Sequence, residues 1–253
     1  MKILIVGDII GSPGRTYIKE NLTSIKEKYD VDFTIVNGEN ASAGVGLDPK
    51  CAHELFDAGV DAITLGNHTW RKKDIIKILD DPRIVRPANY QKNVPGKGSK
   101  VISFNNKRIG IINAVGRVYM DPVDSPFNAV DRELENMNAD IIIVDFHAEA
   151  TSEKNIMGHY LDGRVTAVVG THTHIQTADE KILPKGTGYI TDIGMTGPKD
   201  SIIGSDKSIV MGVFITGIPE RFSVAGGEVQ LNAVLLTIND ENNKLEKIER
   251  IFE

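Results

Sequence analysis

Polar side chains able to bind metal ions follow several short apolar runs of this 253-residue chain. The runs end in Gly7-Asp8, Gly38-Glu39-Asn40, Gly66-Asn67-His68, Phe146-His147 and Gly170-Thr171-His172-Thr173-His174. Each run has the composition of a buried strand. A charged or imidazole group is costly to bury at a strand end unless something binds it there. We therefore expect these groups to meet at one edge of a sheet and to form a site.

The donor atoms of this set predict the kind of metal site. They are carboxylate, amide and imidazole atoms without a thiolate, which favours Fe, Mn or Zn over a structural zinc site built on cysteines. Six such side chains are too many for one catalytic ion with open positions. They suit two ions that share a bridging carboxylate and a bridging water. The candidate ligands are Asp8, Glu39, Asn67, His147, His172 and His174.

His172 and His174 are separated by one residue. Alternate residues of a strand point to opposite faces. In a loop just past a strand, however, two such side chains can converge on adjacent ions, so that each histidine serves one metal. Gly170 precedes the pair and permits a sharp turn of the backbone.

Each of these residues, taken singly, also has a purely structural interpretation. An isolated Asp or Asn at a strand end usually caps a turn. Asn40 could merely shape the Gly-rich loop that follows it, and His147 could be a hydrogen-bonded core histidine. Only the ordered combination favours a site. His53 and His159 fall on predicted helices and are expected to lie outside it.

Alternating strand and helix signals in the first half of the chain position these groups. Strands are predicted over 2–6, 33–36 and 62–65, with a short helix over 72–79. Ser12-Pro13 predicts a helix cap followed by proline at the first helical position, and Asp48-Pro49 repeats the pattern.

The second half of the chain is predicted to be richer in strands. A hairpin turns at residues 105–107, a central strand covers 140–145, a helix covers 151–161 and a short strand covers 167–169. The remainder is predicted to be all-β, with strands over 188–192, 209–215, 229–238 and 244–251. We expect a single domain, residues 1–253, of the α/β class, with two mixed β-sheets packed as a sandwich flanked by helices.

Composition excludes several classes of protein. The chain is 41% hydrophobic and 25% charged, and its net charge of −6 argues against an extended nucleic-acid-binding face. No apolar stretch approaches the roughly 20 residues of a membrane span, and the N-terminal run is too short for a signal peptide. The single cysteine, Cys51, allows no disulfide within the chain. We therefore expect a cytoplasmic protein.

The ordered set of strand ends resembles that of the calcineurin-like metallophosphoesterases. That family's pattern is an acidic strand end, then Gly-Asp, Gly-Asn-His, a strand-end His and Gly-His-x-His. Three segments, 7–11, 37–41 and 145–149, look like the YmdB-type bacterial branch, whose members are cyclic-nucleotide phosphodiesterases. The resemblance covers residues 8–174 and, through the segment 192–197, extends to the whole chain. It implies the α/β/β/α metallophosphoesterase fold.

The resemblance also implies which residues hold the metals. Asp8, Glu39 and His174 would hold the first metal, and Glu39 would bridge. The second metal would be completed by Asn67, His147 and His172. The implied cofactor is two divalent or mixed-valence metal ions per chain, with iron favoured and manganese or zinc as alternatives.

Two further residues would act on the substrate. By resemblance, Asn40 would contact its phosphate, and His68 would donate a proton to the leaving oxygen or stabilise the transition state. Two departures from the wider family pattern concern the first metal. Ile10 stands where that pattern has a histidine, and the bridging residue is Glu39 instead of an aspartate. Both agree with the YmdB-type branch.

The function implied is that of a dinuclear metal-dependent phosphodiesterase acting on 2′,3′-cyclic nucleotides. A metal-bridging hydroxide would attack phosphorus, with His68 as the proton donor. The partner would be a small-molecule cyclic nucleotide or another phosphodiester, and a homo-oligomer is open. The alternatives are a metal-dependent nucleotidase or protein phosphatase, and a low-turnover nucleotide-binding signalling protein.

Overall fold

The computed structural model describes all 253 residues. The strands, in chain order, are β1 (Lys2–Val6), β2 (Asp8–Ile9), β3 (Phe33–Asn37), β4 (Ala62–Thr64), β5 (Ile84–Val85), β6 (Ser99–Phe104), β7 (Lys107–Val115), β8 (Ile141–His147), β9 (Ala167–Thr171), β10 (Lys181–Ile182), β11 (Gly188–Ile190), β12 (Met195–Pro198), β13 (Val229–Ile238) and β14 (Leu245–Phe252). The helices are α1 (Gly11–Tyr29), α2 (Pro49–Asp57), α3 (Pro126–Glu135), α4 (Thr151–Leu161) and α5 (Lys207–Thr216).

The strands form two mixed sheets. The first has the order β2-β12-β13-β1-β3-β4-β5, with β14 paired to β13, and the second has the order β10-β11-β9-β8-β7-β6. β1, β3, β4 and β5 are parallel, as are β7, β8, β9 and β11, whereas β13 and β6 pair antiparallel with their neighbours. The predicted hairpin between β6 and β7 is confirmed. Asn105 and Asn106 there have φ of 45° and 63°, which a two-residue turn of this kind requires.

The apolar core has three parts, which together define four layers. Between the sheets, side chains of β1, β3 and β13 pack against those of β7, β8 and β9. Helices α1 and α2 cover the outer face of the first sheet, and α3 and α4 cover the outer face of the second. This is the predicted sandwich of two mixed sheets flanked by helices. None of the helices combines the length and apolar composition needed to cross a bilayer.

Local chemistry explains where the first two helices begin. Asp48 caps α2 as predicted, since its side chain accepts a hydrogen bond from the Cys51 amide and Pro49 occupies the first turn. The predicted cap at Ser12 is wrong. Helix α1 already begins at Gly11, whose positive φ of 54° turns the chain directly out of β2, and Ser12 lies within the first turn.

Three other local predictions differ from the structure. The strand predicted over 209–215 is helix α5, because the Asp206 side chain accepts from two amides at its start and Gly217, with φ of 73°, ends it. The helix predicted over 72–79 consists of 3₁₀ turns at Thr69–Arg71 and Lys73–Lys77. Helix α3 was not predicted, although Ser125 caps it and Pro126 follows.

The arrangement of the parallel strands positions the site. The C-terminal ends of β1, β3 and β4 in one sheet face the same edge as those of β8 and β9 in the other. Two glycines allow neighbouring backbone segments to approach each other closely at this edge. A Cβ on Gly7 would lie 2.2 Å from the Gly194 carbonyl oxygen, and one on Gly170 would lie 1.7 Å from the Thr191 carbonyl oxygen. The candidate site is therefore built on tightly packed backbone.

We expect Gly170→Ala to lower the free energy of unfolding by about 3 kcal/mol, because backbone must move to admit the methyl group. Gly212→Ala is the matched control. Nothing lies within 4 Å of the added methyl group in α5, and the change should be neutral or stabilise by about 0.5–1 kcal/mol. Urea unfolding of both variants measures the difference. A Gly170→Ala protein as stable as the parent would contradict the close approach of β9 to Thr191.

Candidate metal centre

The predicted ligand side chains converge at the shared sheet edge in two groups. One group is Glu39, His147 and His172, the other is Asp8, Glu39 and His174, and within each group the donor atoms lie within 4.8 Å of one another. Glu39 belongs to both groups and is fully buried. The two histidines of the His-x-His segment thus fall into different groups, which is the arrangement expected for two adjacent ions.

Asp8 gives the clearest sign that the site fits a cation. Its Oδ2 lies 3.1 Å from His174 Nε2 and accepts from the His172 amide at 3.2 Å. Its Oδ1 is buried and has no hydrogen-bond partner. A buried carboxylate oxygen without a donor is costly. The residues of this group therefore fit a bound cation.

His147 presents one ring nitrogen to three electron-rich atoms. Its Nε2 lies 2.9 Å from Asn67 Oδ1, 3.2 Å from Glu39 Oε2 and 3.1 Å from His172 Nδ1. Carboxylate, amide and imidazole atoms facing one another in this way need a shared positive charge. Asn67 joins the second group through this contact, so all six predicted ligands lie together.

The charged groups of the site and their burial raise the pKa of one residue and lower the pKa of two others. Burial lowers the pKa of His147, but Glu39 and the nearby aspartates outweigh it and raise that pKa to about 9. Burial raises the pKa of Glu39, yet His147 and His68 hold it well below its usual range. Burial and the neighbouring His147 lower the pKa of His172 to about 3. His172 is therefore a neutral donor at physiological pH.

The backbone of the His-x-His segment is held in a conformation that non-glycine residues seldom adopt. His172 has φ of 103° and His174 has φ of 65°. Asp192 holds the loop, because its Oδ2 accepts from the Thr173 amide at 3.1 Å and from the Thr173 hydroxyl at 2.8 Å. The same oxygen lies 2.6 Å from Lys154 Nζ in an ion pair that is 1% exposed on each side.

The sequence reasoning missed Lys154 and Asp192 as supports of the site. The sequence of the segment beginning at Asp192 indicated only a resemblance to the family and no contact with the site. Lys154 gave no signal, because a lysine on a predicted helix is normally solvated.

Asn40 and His68 lie beside the ligand groups and contact each other. His68 Nδ1 is 2.8 Å from Asn40 Oδ1, and Asn40 Nδ2 donates to Glu39 Oε1 at 2.9 Å. The His68 side chain is 27% exposed. A hydrogen bond from Nδ1–H to Asn40 orients the ring and leaves Nε2 for proton exchange with a substrate. Near the same cavity, Glu149 Oε2 lies 3.2 Å from His172 Nε2.

The site opens on a cavity of about 540 Å³. Its polar side includes Glu39, Asn40, His68, His172 and His174. Its apolar side is formed by Ile10, Val45, Ile203, Phe222 and Val224. Ile10 is buried, and its side chain fills the space above Gly197 and Gly204, where an added Cβ would come within 2.8 Å and 2.7 Å of it. His53 and His159 are exposed on α2 and α4, outside this cavity.

Comparisons with known proteins give one family and several close relatives. The model of the family described as "YmdB-like protein" matches residues 4–251. The chain is 51% identical to the 2′,3′-cyclic-nucleotide 2′-phosphodiesterase of Bacillus subtilis, over 100% of this chain and 97% of that protein. A crystal structure of a hypothetical protein from Thermus thermophilus is 42% identical, with a TM-score of 0.95 over 100% of this chain and 99% of that one.

A more distant structure bears on the fold alone. The 5′-nucleotidase precursor from Thermus thermophilus has a TM-score of 0.60 at 11% identity, over 100% of this chain and 54% of that one. The predicted metallophosphoesterase fold is thereby confirmed.

We expect Glu39→Gln to lose most of the bound metal at both positions, because the shared carboxylate loses its negative charge while its size is kept. Metal content per chain, measured by inductively coupled plasma mass spectrometry, tests this. Glu20→Gln is the control and should leave metal content unchanged, since Glu20 is exposed on α1 and belongs to neither ligand group. Full metal content in Glu39→Gln would contradict the shared-ligand geometry.

Proposed function

The chain belongs to the YmdB-like protein family, and from this premise we propose that residues 1–253 form one catalytic domain, a metal-dependent phosphodiesterase. The proposed substrates are 2′,3′-cyclic nucleotides, as the name of the Bacillus subtilis relative indicates for that protein. One observation carries the proposal. Two ligand groups that share Glu39 open, together with Asn40 and His68, on a single cavity.

The metal roles form part of the proposal. The first ion would be held by Asp8, Glu39 and His174, and the second by Glu39, Asn67, His147 and His172. Two bound cations would supply an acidified water as the nucleophile and would neutralise charge on the phosphoryl oxygens. The proposed metal is iron, with manganese or zinc as alternatives, because carboxylate, amide and imidazole donors without a thiolate suit all three.

Asn40 is proposed to bind and orient the phosphate. One N–H of its amide donates to Glu39 Oε1, and its Oδ1 contacts His68. Asn40 Nδ2 also lies 3.2 Å from His174 Nε2. With that nitrogen bound to a metal ion, the second N–H of the amide would be available to a phosphoryl oxygen. Asn40 would thus hold the substrate and the proton donor in one fixed relation.

His68 is proposed to give a proton to the leaving oxygen. A ribose alkoxide is a poor leaving group, and general-acid help of this kind accelerates a reaction by roughly 10²–10⁴-fold. The bond to Asn40 keeps His68 Nδ1 turned away from the substrate, so that Nε2 makes the transfer. The relative's name describes cleavage of the 2′ ester. The same cleavage here would leave a free 2′-hydroxyl and a 3′-monophosphate.

The cavity supports a nucleotide over a protein substrate. Its volume of about 540 Å³ falls in the range of small-molecule sites. Phe222, Val45 and Val224 provide an apolar wall facing the polar half. A nucleobase could pack on that wall while the cyclic phosphate lies at the ligand groups. A phosphorylated protein side chain would use only the polar half.

We also propose an oligomeric state, a cellular location and the lack of a nucleic-acid-binding face. A homo-oligomer is supported by α5, where Phe214 is 81% and Ile215 76% exposed, because one apolar patch can serve both copies of a two-fold interface. A cytoplasmic location is supported by the single, buried Cys51. The net charge of −6 supports the lack of an extended nucleic-acid-binding face.

A substrate panel tests the proposed function directly. We expect kcat/KM to be highest for 2′,3′-cyclic AMP, lower for the base-free diester glycerol 1,2-cyclic phosphate and lowest for the monoester p-nitrophenyl phosphate. Chromatography of the products should show 3′-AMP. Faster hydrolysis of the monoester would favour a phosphatase or nucleotidase, and binding without turnover would favour a nucleotide-binding signalling protein.

His68→Ala should keep the metal content and lose roughly 10²–10⁴-fold in kcat, because only the proton donor is removed. Steady-state rates with 2′,3′-cyclic AMP and metal analysis of the same sample measure both effects. His53→Ala, on the exposed face of α2, is the control and should behave as the parent. Undiminished turnover by His68→Ala would rule out the acid role.

A further inference from the structure

Asp145 is a buried carboxylate for which the proposed reaction has no role. It lies in β8 two residues before His147, and it is 2% exposed. Donors from both sheets reach it. The Thr64 hydroxyl of β4 and Asn37 Nδ2 of β3 donate to its Oδ2, the latter at 3.0 Å, and the Thr171 hydroxyl of β9 donates to its Oδ1 at 2.6 Å. A carboxylate that accepts from three donors acts as an acceptor only.

Thr171 connects this carboxylate to a proposed metal ligand. Its hydroxyl proton points to Asp145, so its oxygen offers a lone pair to His147 Nδ1 at 2.9 Å. His147 must therefore carry a proton on Nδ1. In the neutral ring the lone pair is then on Nε2, the atom that faces Glu39 and Asn67. The side chains of Asp145, Thr171, His147 and Glu39 are all buried, so these hydrogen bonds are shielded from water.

Asn37 connects the same carboxylate to the shared ligand. While its Nδ2 donates to Asp145, its Oδ1 accepts from the Glu39 backbone amide at 3.1 Å. The turn that carries Glu39 is thereby attached to β8 across the gap between the sheets. Asp145 thus contacts the residues that hold two proposed ligands, Glu39 from the first sheet and His147 from the second.

We propose that Asp145 and Thr171 are positioning residues that hold His147 in the Nδ1–H tautomer, with Nε2 aimed at a metal ion. The inference rests on the proposed metal site and adds to it a relay from Asp145 through Thr171 to His147. Partners of this kind orient a metal-bound imidazole and raise its basicity, and their loss typically weakens metal affinity 10–100-fold. The relay acts on affinity and not on the reacting atoms.

The test compares three threonine variants of the full chain, each stripped of metal with a chelator and titrated with Mn²⁺ in equilibrium dialysis. Thr171→Val keeps the side-chain shape and removes the relay, so one of the two Mn²⁺ should bind 10–100-fold more weakly. Thr171→Ser keeps the hydroxyl and should stay within about threefold of the parent.

Thr34→Val is the matched control. Thr34 is a fully buried threonine of β3 whose hydroxyl has no hydrogen-bond partner. The same substitution there should leave both affinities unchanged. It separates loss of the relay from the general effect of replacing a buried threonine by valine.

A second measurement reads the tautomer itself. Two-bond ¹H–¹⁵N spectra of the Zn²⁺-loaded protein should show the His147 proton on Nδ1 in the parent and in Thr171→Ser. Wild-type Mn²⁺ affinity in Thr171→Val, or a proton on Nε2 in the parent, would overturn the relay. A parent protein that binds no Mn²⁺ at all would instead sink the proposed metal site.

Discussion

The buried carboxylate of Asp145 is the interaction on which the site's geometry depends. It lies where the two sheets meet and accepts hydrogen bonds from β3, β4 and β9. Burial raises the pKa of Asp145 to about 6, which still leaves it ionised at neutral pH. Because hydrogen bonds to a charged group are strong in a low-dielectric interior, Asp145 ties the two sheets together beside their shared apolar core. The candidate ligand side chains at this edge are thereby held at a fixed spacing.

Close backbone approach and local strain complete the arrangement. Without side chains, Gly7 and Gly170 let the strand ends lie against Gly194 and Thr191, which brings the ligand-bearing loops of both sheets together. The left-handed φ values in the His-x-His loop cost energy. The buried ion pair of Lys154 with Asp192, together with the bonds from Thr173, offsets that cost on the opposite side of the loop.

The polar residues that end strands could be predicted from the sequence. Features that depend on contacts between distant segments of the chain could not. Candidate ligands such as His147 were identifiable because a polar residue at the end of an apolar run is unusual. The sequence marked Asp145 only as part of a motif that resembles the family. Its hydrogen bonds to Asn37 and Thr64 cross between two sheets whose packing the sequence does not reveal. The apolar run of α5 fits a strand equally well, and the caps at Asp206 and Gly217 decide for a helix.

The electrostatics of the centre link ligand binding to folding. Asp8, Glu39 and Asp145 are all buried, so they need positive charge nearby. Protons on the histidines can supply it, and bound cations can supply it in their place, since metal ions and protons compete for the same ring nitrogens. The group containing Asp8 has one histidine, His174, and the Ile10 side chain lines the cavity beside it. An ion there would have fewer protein donors than an ion held by Glu39, Asn67, His147 and His172.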